Sequence, residues 1–290
     1  MYSMIMIPLL VLAGIAFQQD EKSPKKKPTS ETQSAAKKQT AEKILAEILA
    51  KEGIRIDKKQ GLVHAEGKIV VTRDFLEYVA IGANGKKHEG LVMLRCRGSS
   101  LNAALLALGL EPGKNVDYEE IVPRPTREEY EAGAPLNRVF PPKGPRLWLS
   151  ISWHDDDDVL VKKRVEDLII DITTEKPIAN AKWLFTKALL APIEKGKEPV
   201  FIADYDGNYI STYYCKPDTH FVTILHERGS QDGNWYANTA ALPAPGTACT
   251  FTLSSKPLLK GDTGPDDEDK ARKAASKGAK PKKVEGRRKD

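Results

Sequence analysis

The spacing of hydrophobic positions changes several times along the chain. Met4 to Phe17 is one apolar run. Residues 19–40 carry Lys, Pro, Ser, Thr and Gln without apolar periodicity and read as a disordered linker. Residues 41–52 then place Ile44, Leu45, Ile48 and Leu49 on one side of a short helix. Thr40 is its expected cap, Glu47 and Lys51 an i,i+4 pair, and Gly53 its stop. After Gly53 the period shortens to that of strands. Ile54–Asp57, Leu62–Glu66, Lys68–Thr72, Phe75–Ile81 and Leu91–Arg95 follow, separated by Gly61, Gly67 and Ala83-Asn84-Gly85. Asn84-Gly85 and Asp206-Gly207 are two-residue hairpin signals.

A second helix is expected from Ser99 or Ser100 through Leu108. Leu101, Leu105 and Leu108 share a face, Gly109 suits a left-handed stop, and Leu110 can close back on Leu105. Residues 111–146 are rich in Pro and charge and read as a surface excursion. Leu147, Leu149, Ile151 and Trp153 alternate with Trp148, Ser150, Ser152 and His154. Further strands are expected at 159–161, 165–172, 181–185, 199–205, 208–214, 219–225 and 247–253. About a dozen short strands and one or two helices define a β-rich α+β domain, mainly antiparallel. Its span is 41–259, between a linker and a disordered charged tail at 260–290.

Composition sharpens that organisation. The 290 residues are 40% hydrophobic and 29% charged, which excludes collagen-like, wholly disordered and multi-span membrane chains. The net charge of +5 is segregated: residues 20–43 hold +3, 260–269 hold −4 and 270–290 hold +8. Residues 44–259 are left near −2. A near-neutral domain argues against sequence-specific nucleic-acid binding. Residues 1–18 read as a signal peptide, with Gly14-Ile15-Ala16 offering small residues for a cleavage site and an apolar run that is short for a membrane span. The expected location is secreted or periplasmic, in the cell envelope, with no transmembrane span after cleavage.

Cys96, Cys215 and Cys249 are too few for a four-thiolate iron–sulfur cluster, and no other cofactor is indicated. Burial as small apolar side chains and a Cys215–Cys249 bridge both remain open. Phosphate loops, nucleophile elbows and paired-histidine zinc motifs are absent. The sharpest polar cluster is Lys86-Lys87-His88-Glu89 after the Asn84-Gly85 turn. An imidazole beside a carboxylate can ligate a metal or move a proton, so Lys86, His88 and Glu89 are ligand-binding candidates and His88 and Glu89 metal candidates. The other imidazoles are His64, His154, His220 and His226. Asp155–Asp158 reads as a solvated hairpin tip, and Asp204–Asn208 lacks the terminal Glu of a calcium loop. In the tail, Lys280, Lys282, Lys283, Arg287 and Arg288 are candidates for an anionic envelope polymer or lipid.

Two blocks carry a family resemblance. One joins Phe75–Tyr78, Gly85–Gly90 and Leu101–Gly113. The other joins Trp183–Phe185, Ile202–Gly207, Asn234–Thr239 and Leu242–Thr247. Together they resemble the YdjY-type domain of exported bacterial proteins, over about residues 53–255. The resemblance implies one folding unit with 111–146 as an internal connection, and it raises His88 and Glu89 above other polar residues. It carries no established activity. The expected function is therefore an envelope-associated binding or scaffold protein. The alternative is a metal-binding or metal-dependent module centred on His88 and Glu89.

Overall fold

The computed structural model describes residues 30–214 and 219–262. The signal segment, Cys215 and the five basic tail candidates lie outside those residues. The described part falls into two units, the first ending at Lys43 and the second starting at Ile44.

Helix α1, Ser30–Lys51, starts well inside the segment expected to be a linker. Thr40 consequently sits within the helix instead of capping it. The physical reason is propensity: Glu, Gln, Ala and Lys dominate 31–43, and straight-chain residues favour helix even without an apolar stripe. The predicted stripe also splits. Leu49 is buried and Leu45 half-buried, whereas Ile44 and Ile48 stay exposed, one helical step away. Gly53 ends the helix with φ +78°.

Strands β1 (Ile54–Asp57), β2 (Leu62–Ile69), β3 (Tyr78–Ile81) and β4 (Gly90–Leu94) follow. Helix α2 spans Gly98–Ala107. The excursion then forms β5 (Asp117–Glu120), α3 (Arg127–Glu131) and β6 (Asn137–Phe140). The chain returns as β7 (Arg146–His154) and β8 (Leu160–Arg164), then a 3₁₀ turn at Val165–Leu168. Short strands β9 (Ile169–Asp171) and β10 (Lys176–Pro177) precede β11 (Lys182–Phe185), β12 (Leu190–Ala191) and β13 (Val200–Phe201). Helix α4 (Ile202–Asp206) leads to β14 (Asn208–Ser211), β15 (Val222–Leu225), β16 (Trp235–Ala237) and β17 (Ala248–Ser254).

Eight of these strands close into a barrel in the order β2-β17-β7-β11-β15-β14-β3-β4, with β4 returning to β2. All pairs in the ring are antiparallel except β14–β15 and β3–β4. Closure depends on Gly67. It pairs with Leu94 and Cys249, and a Cβ there would stand 2.8 Å from the Met93 carbonyl oxygen. Strand alternation sorts the faces. Val63, Ala65, Leu149, Ile151, Phe251 and Leu253 are among the buried core side chains. On the outer face, Trp148 is also buried, with the Arg146 guanidinium 4.8 Å from its ring centre. Strand β8 pairs only with β7, and Lys162 and Lys163 stand on it, as charge does on free sheet edges.

Helix α2 stops as its sequence indicates. Gly109 is left-handed at φ +84°, its N–H donates to Leu106 at 2.9 Å, and Leu110 N–H donates to Leu105 at 3.4 Å. Its start differs from expectation: neither Ser99 nor Ser100 is the cap. Arg97 is, without a side-chain bond, and Asp204 from α4 accepts the Ser99 N–H at 2.8 Å. The long-range carboxylate does what a local Ser was expected to do.

Neither predicted hairpin exists. Strands β3 and β4 are parallel, and neither Asn84 nor Gly85 has positive φ. Gly85 is needed for space, because a Cβ would come within 2.4 Å of the Gly207 carbonyl oxygen. Asp206 ends α4, and Gly207 at φ +74° is its left-handed stop. The excursion exposes itself as expected, with no buried residue from Asp117 to Phe140. Its helix carries a reciprocal cap between Thr126 and Glu129.

Candidate functional site

The Lys86–Glu89 turn is tied to the barrel by its backbone: Glu89 O accepts N–H bonds from Glu77 and Tyr78. The Lys86 ammonium lies 2.8 Å from Glu77 and 3.0 Å from Glu89, and 5.6 Å from the Tyr78 ring centre. The two carboxylates hold its pKa above the ordinary lysine range despite partial burial. Burial raises the Glu89 pKa, but the hydrogen bond and positive charge of Lys86 outweigh it and the net direction is down. The structure therefore brings Lys86 and Glu89 together as an ion-paired cluster. His88 is different. Its side chain is 77% exposed, and Nε2 lies 3.4 Å from Glu89.

His88 lines a cleft of about 630 Å³ with Arg73, Asp74, Thr239 and the Pro243-Ala244-Pro245 segment. Glu89 does not line it. Among the described residues no group of three His, Cys, Asp or Glu is placed to hold a metal ion. The other imidazoles have separate surroundings. His64 Nδ1 is 2.9 Å from Thr252 Oγ1. His220 is buried, which pushes its pKa down to about 4. His226 packs edge-on against Trp235, with ring centres 5.0 Å apart.

Cys96 and Cys249 are buried free thiols, and burial pushes each pKa up to about 12. Cys249 is a free thiol here, and the Cys215 end of the expected bridge lies outside the described residues. The short Asp155–Asp158 tip folds on itself, with Asp155 Oδ1 accepting the N–H groups of Asp157 and Val159.

Sequence reasoning missed a second concave feature. A groove of about 730 Å³ opens where β2, β4, β7 and β17 end together. Trp153, Met93, Leu94, Ala248, Cys249 and Leu160 supply apolar lining. Trp153 and Cys249 belong to the buried core, whereas Leu160 is 61% exposed. Around them stand Lys68, Arg95, Glu66 and His154. Arg95 pairs with Glu66 at 2.6 Å and also donates to the Lys51 carbonyl oxygen at 3.0 Å. The side chains of Lys68 and His154 have no ion pair or hydrogen bond among the described residues. The groove was hidden because its residues come from five strands that only barrel closure brings together. Its one local sign was an exposed Leu160 beside the charged tip.

A groove of this size, apolar within and carrying a few polar groups, has the form of a small-ligand site. The ion-paired turn has the form of a structural clasp, with one imidazole left in solvent. Among the described residues, neither arrangement has a hydrogen bond joining a nucleophile to a base. Comparison with known proteins found no matching family model, no matching curated protein and no matching solved structure.

Proposed function

We propose that this is an exported, envelope-associated binding protein, without catalytic activity, that takes its ligand in the barrel-end groove. The observation supporting the reading is the contrast between the two concave sites. The groove combines an apolar lining with an unpaired cation, Lys68. The His88 cleft carries both Arg73 and Asp74 beside an exposed imidazole, so its charges are mixed, and Lys86 and Glu89 are engaged with each other outside it. The leader-like segment, the YdjY-type resemblance and the basic tail supply the envelope part of the reading. No helix among the described residues is long and apolar enough to cross a membrane.

The test uses the full chain and the neutral fluorescent probe N-phenyl-1-naphthylamine. Saturable binding that weakens about tenfold in Leu160→Asp supports the groove. Leu160 is exposed, so the substitution leaves the core intact. Binding unchanged in Leu160→Asp but lost in His88→Ala would move the site to the other cleft. Elemental mass spectrometry on the same samples addresses the metal reading. Stoichiometric metal that disappears in His88→Ala would overturn the non-catalytic, metal-free account.

A further inference from the structure

The groove's charges are arranged unevenly. Lys68 on β2 and Arg95, just after β4, stand at one side. At the other side His154 and Leu160 flank the Asp155–Asp158 tip, and Asp156, Asp157 and Asp158 are exposed. Apolar Trp153 and Ala248 lie in the lining between, and Met93 stands on the cationic side beyond Lys68. The register fixes this order. Lys68 pairs with Met93 across one ladder and with Ala248 across the other, and His154 pairs with Leu160.

A fully anionic ligand is repelled by the Asp tip, and a cationic one is repelled by Lys68 and Arg95. An apolar body with a single anionic end satisfies both sides. Its head meets Lys68, the unpaired cation, with Arg95 adjacent, and its body runs over Ala248 and Trp153 toward Leu160. Glu66 already neutralises part of the Arg95 charge, so Lys68 is the principal contact. Lys68 is exposed and its stem is free to follow the ligand head.

From this geometry we propose that the groove binds an amphipathic anion, an aliphatic or aromatic body carrying one carboxylate or phosphate. The inference rests on the groove being the binding site and adds the class of ligand. A phosphate head and a carboxylate head share the recognising chemistry, and paired probes separate them.

The experiment is displacement of N-phenyl-1-naphthylamine from the full chain by dodecyl phosphate, dodecanoate, dodecyltrimethylammonium and inorganic phosphate, all below their micelle concentrations. The expected result is displacement by the two anionic chains about tenfold more tightly than by the cationic chain, and none by inorganic phosphate. Lys68→Glu should remove that preference, with neutral-probe binding retained. Asp156→Asn with Asp157→Asn should strengthen anion binding or leave it unchanged. Equal displacement by anionic and cationic chains, or a preference that survives Lys68→Glu, would overturn the ligand class while the groove reading stands. Loss of the neutral probe itself from the parent protein would bring down both. Displacement by inorganic phosphate alone would show an anion site without an apolar component, and that also contradicts the proposal.

Discussion

Glu166 offers the most quantitative test of how this barrel is held. It sits in the 3₁₀ turn between two fully buried residues, Val165 and Leu168. Its Oε1 accepts the Trp183 indole N–H at 2.9 Å, while Oε2 is buried with no hydrogen-bond partner. Burial raises its pKa above the ordinary glutamate range, and Asp262 adds to this, against the pull of Trp183 and Arg164. An unfolded Glu titrates near pH ~4.3. Between that pH and the raised folded value, the folded protein binds more protons than the unfolded one. Stability must therefore fall as pH rises through that window, then level off. The slope is at most about 1.4 kcal/mol per pH unit, and each tenfold difference in acidity between the two states contributes about 1.4 kcal/mol. Glu166→Gln mimics the neutral acid and keeps the acceptor for Trp183. Its advantage over the parent should be near zero below about pH 4 and grow as pH rises, levelling off once the folded carboxyl is ionised. For a domain of this size, each kcal/mol moves the melting temperature by about 2–4 °C. Urea unfolding followed by tryptophan fluorescence at several pH values reads the difference. Relative to Glu166→Gln, Glu166→Leu strands the indole N–H and should cost about 1–3 kcal/mol at every pH. An advantage of Glu166→Gln that is the same at all pH values would refute the reasoning.

Three further outcomes follow from the same geometry. Asp204→Ala removes the carboxylate that caps α2 and should lower stability by about 1–2 kcal/mol, with Asp204→Asn retaining most of it; equal losses in thermal melts would contradict the capping role. Gly67→Ala pushes a Cβ against the Met93 carbonyl oxygen at the barrel seam and should cost about 1–3 kcal/mol in urea unfolding and weaken probe binding in the adjoining groove; a neutral substitution would mean the seam is looser than described. In a Cys215→Ser background, Cys96 and Cys249 should resist a thiol-reactive disulfide reagent at about pH 8 until the protein unfolds, since burial disfavours both thiolates; rapid reaction of either in the native state would contradict their burial.

Local signals survived where local physics decides. Gly109 and Leu110 stop α2 as their sequence indicates, and the alternation of Leu147–Trp153 marks the wall of the barrel. The exposed excursion was legible from its shortage of apolar residues, although the Thr126–Glu129 cap within it was overlooked. What failed depended on distant partners. Asn84-Gly85 reads as a hairpin turn by composition, yet β4 runs parallel to β3 because it must close onto β2, and Gly85 serves the contact with Gly207. The cap of α2 comes from Asp204, over a hundred positions away. Lys86 and Glu89 come together as an ion pair, but the sequence could not show that Glu77 completes it and leaves His88 in solvent. The groove was illegible for the same reason, since no single stretch of chain contains it.

The account's central claim is that ligand is taken at the barrel end rather than at the His88 turn. Backbone amide chemical-shift mapping of the isotope-labelled full chain during titration with N-phenyl-1-naphthylamine tests it most directly. The account predicts that the largest shifts fall on Gly67, Lys68, Met93, Trp153, Ala248 and Cys249. Shifts concentrated on Arg73, Asp74, His88 and Thr239 would contradict it.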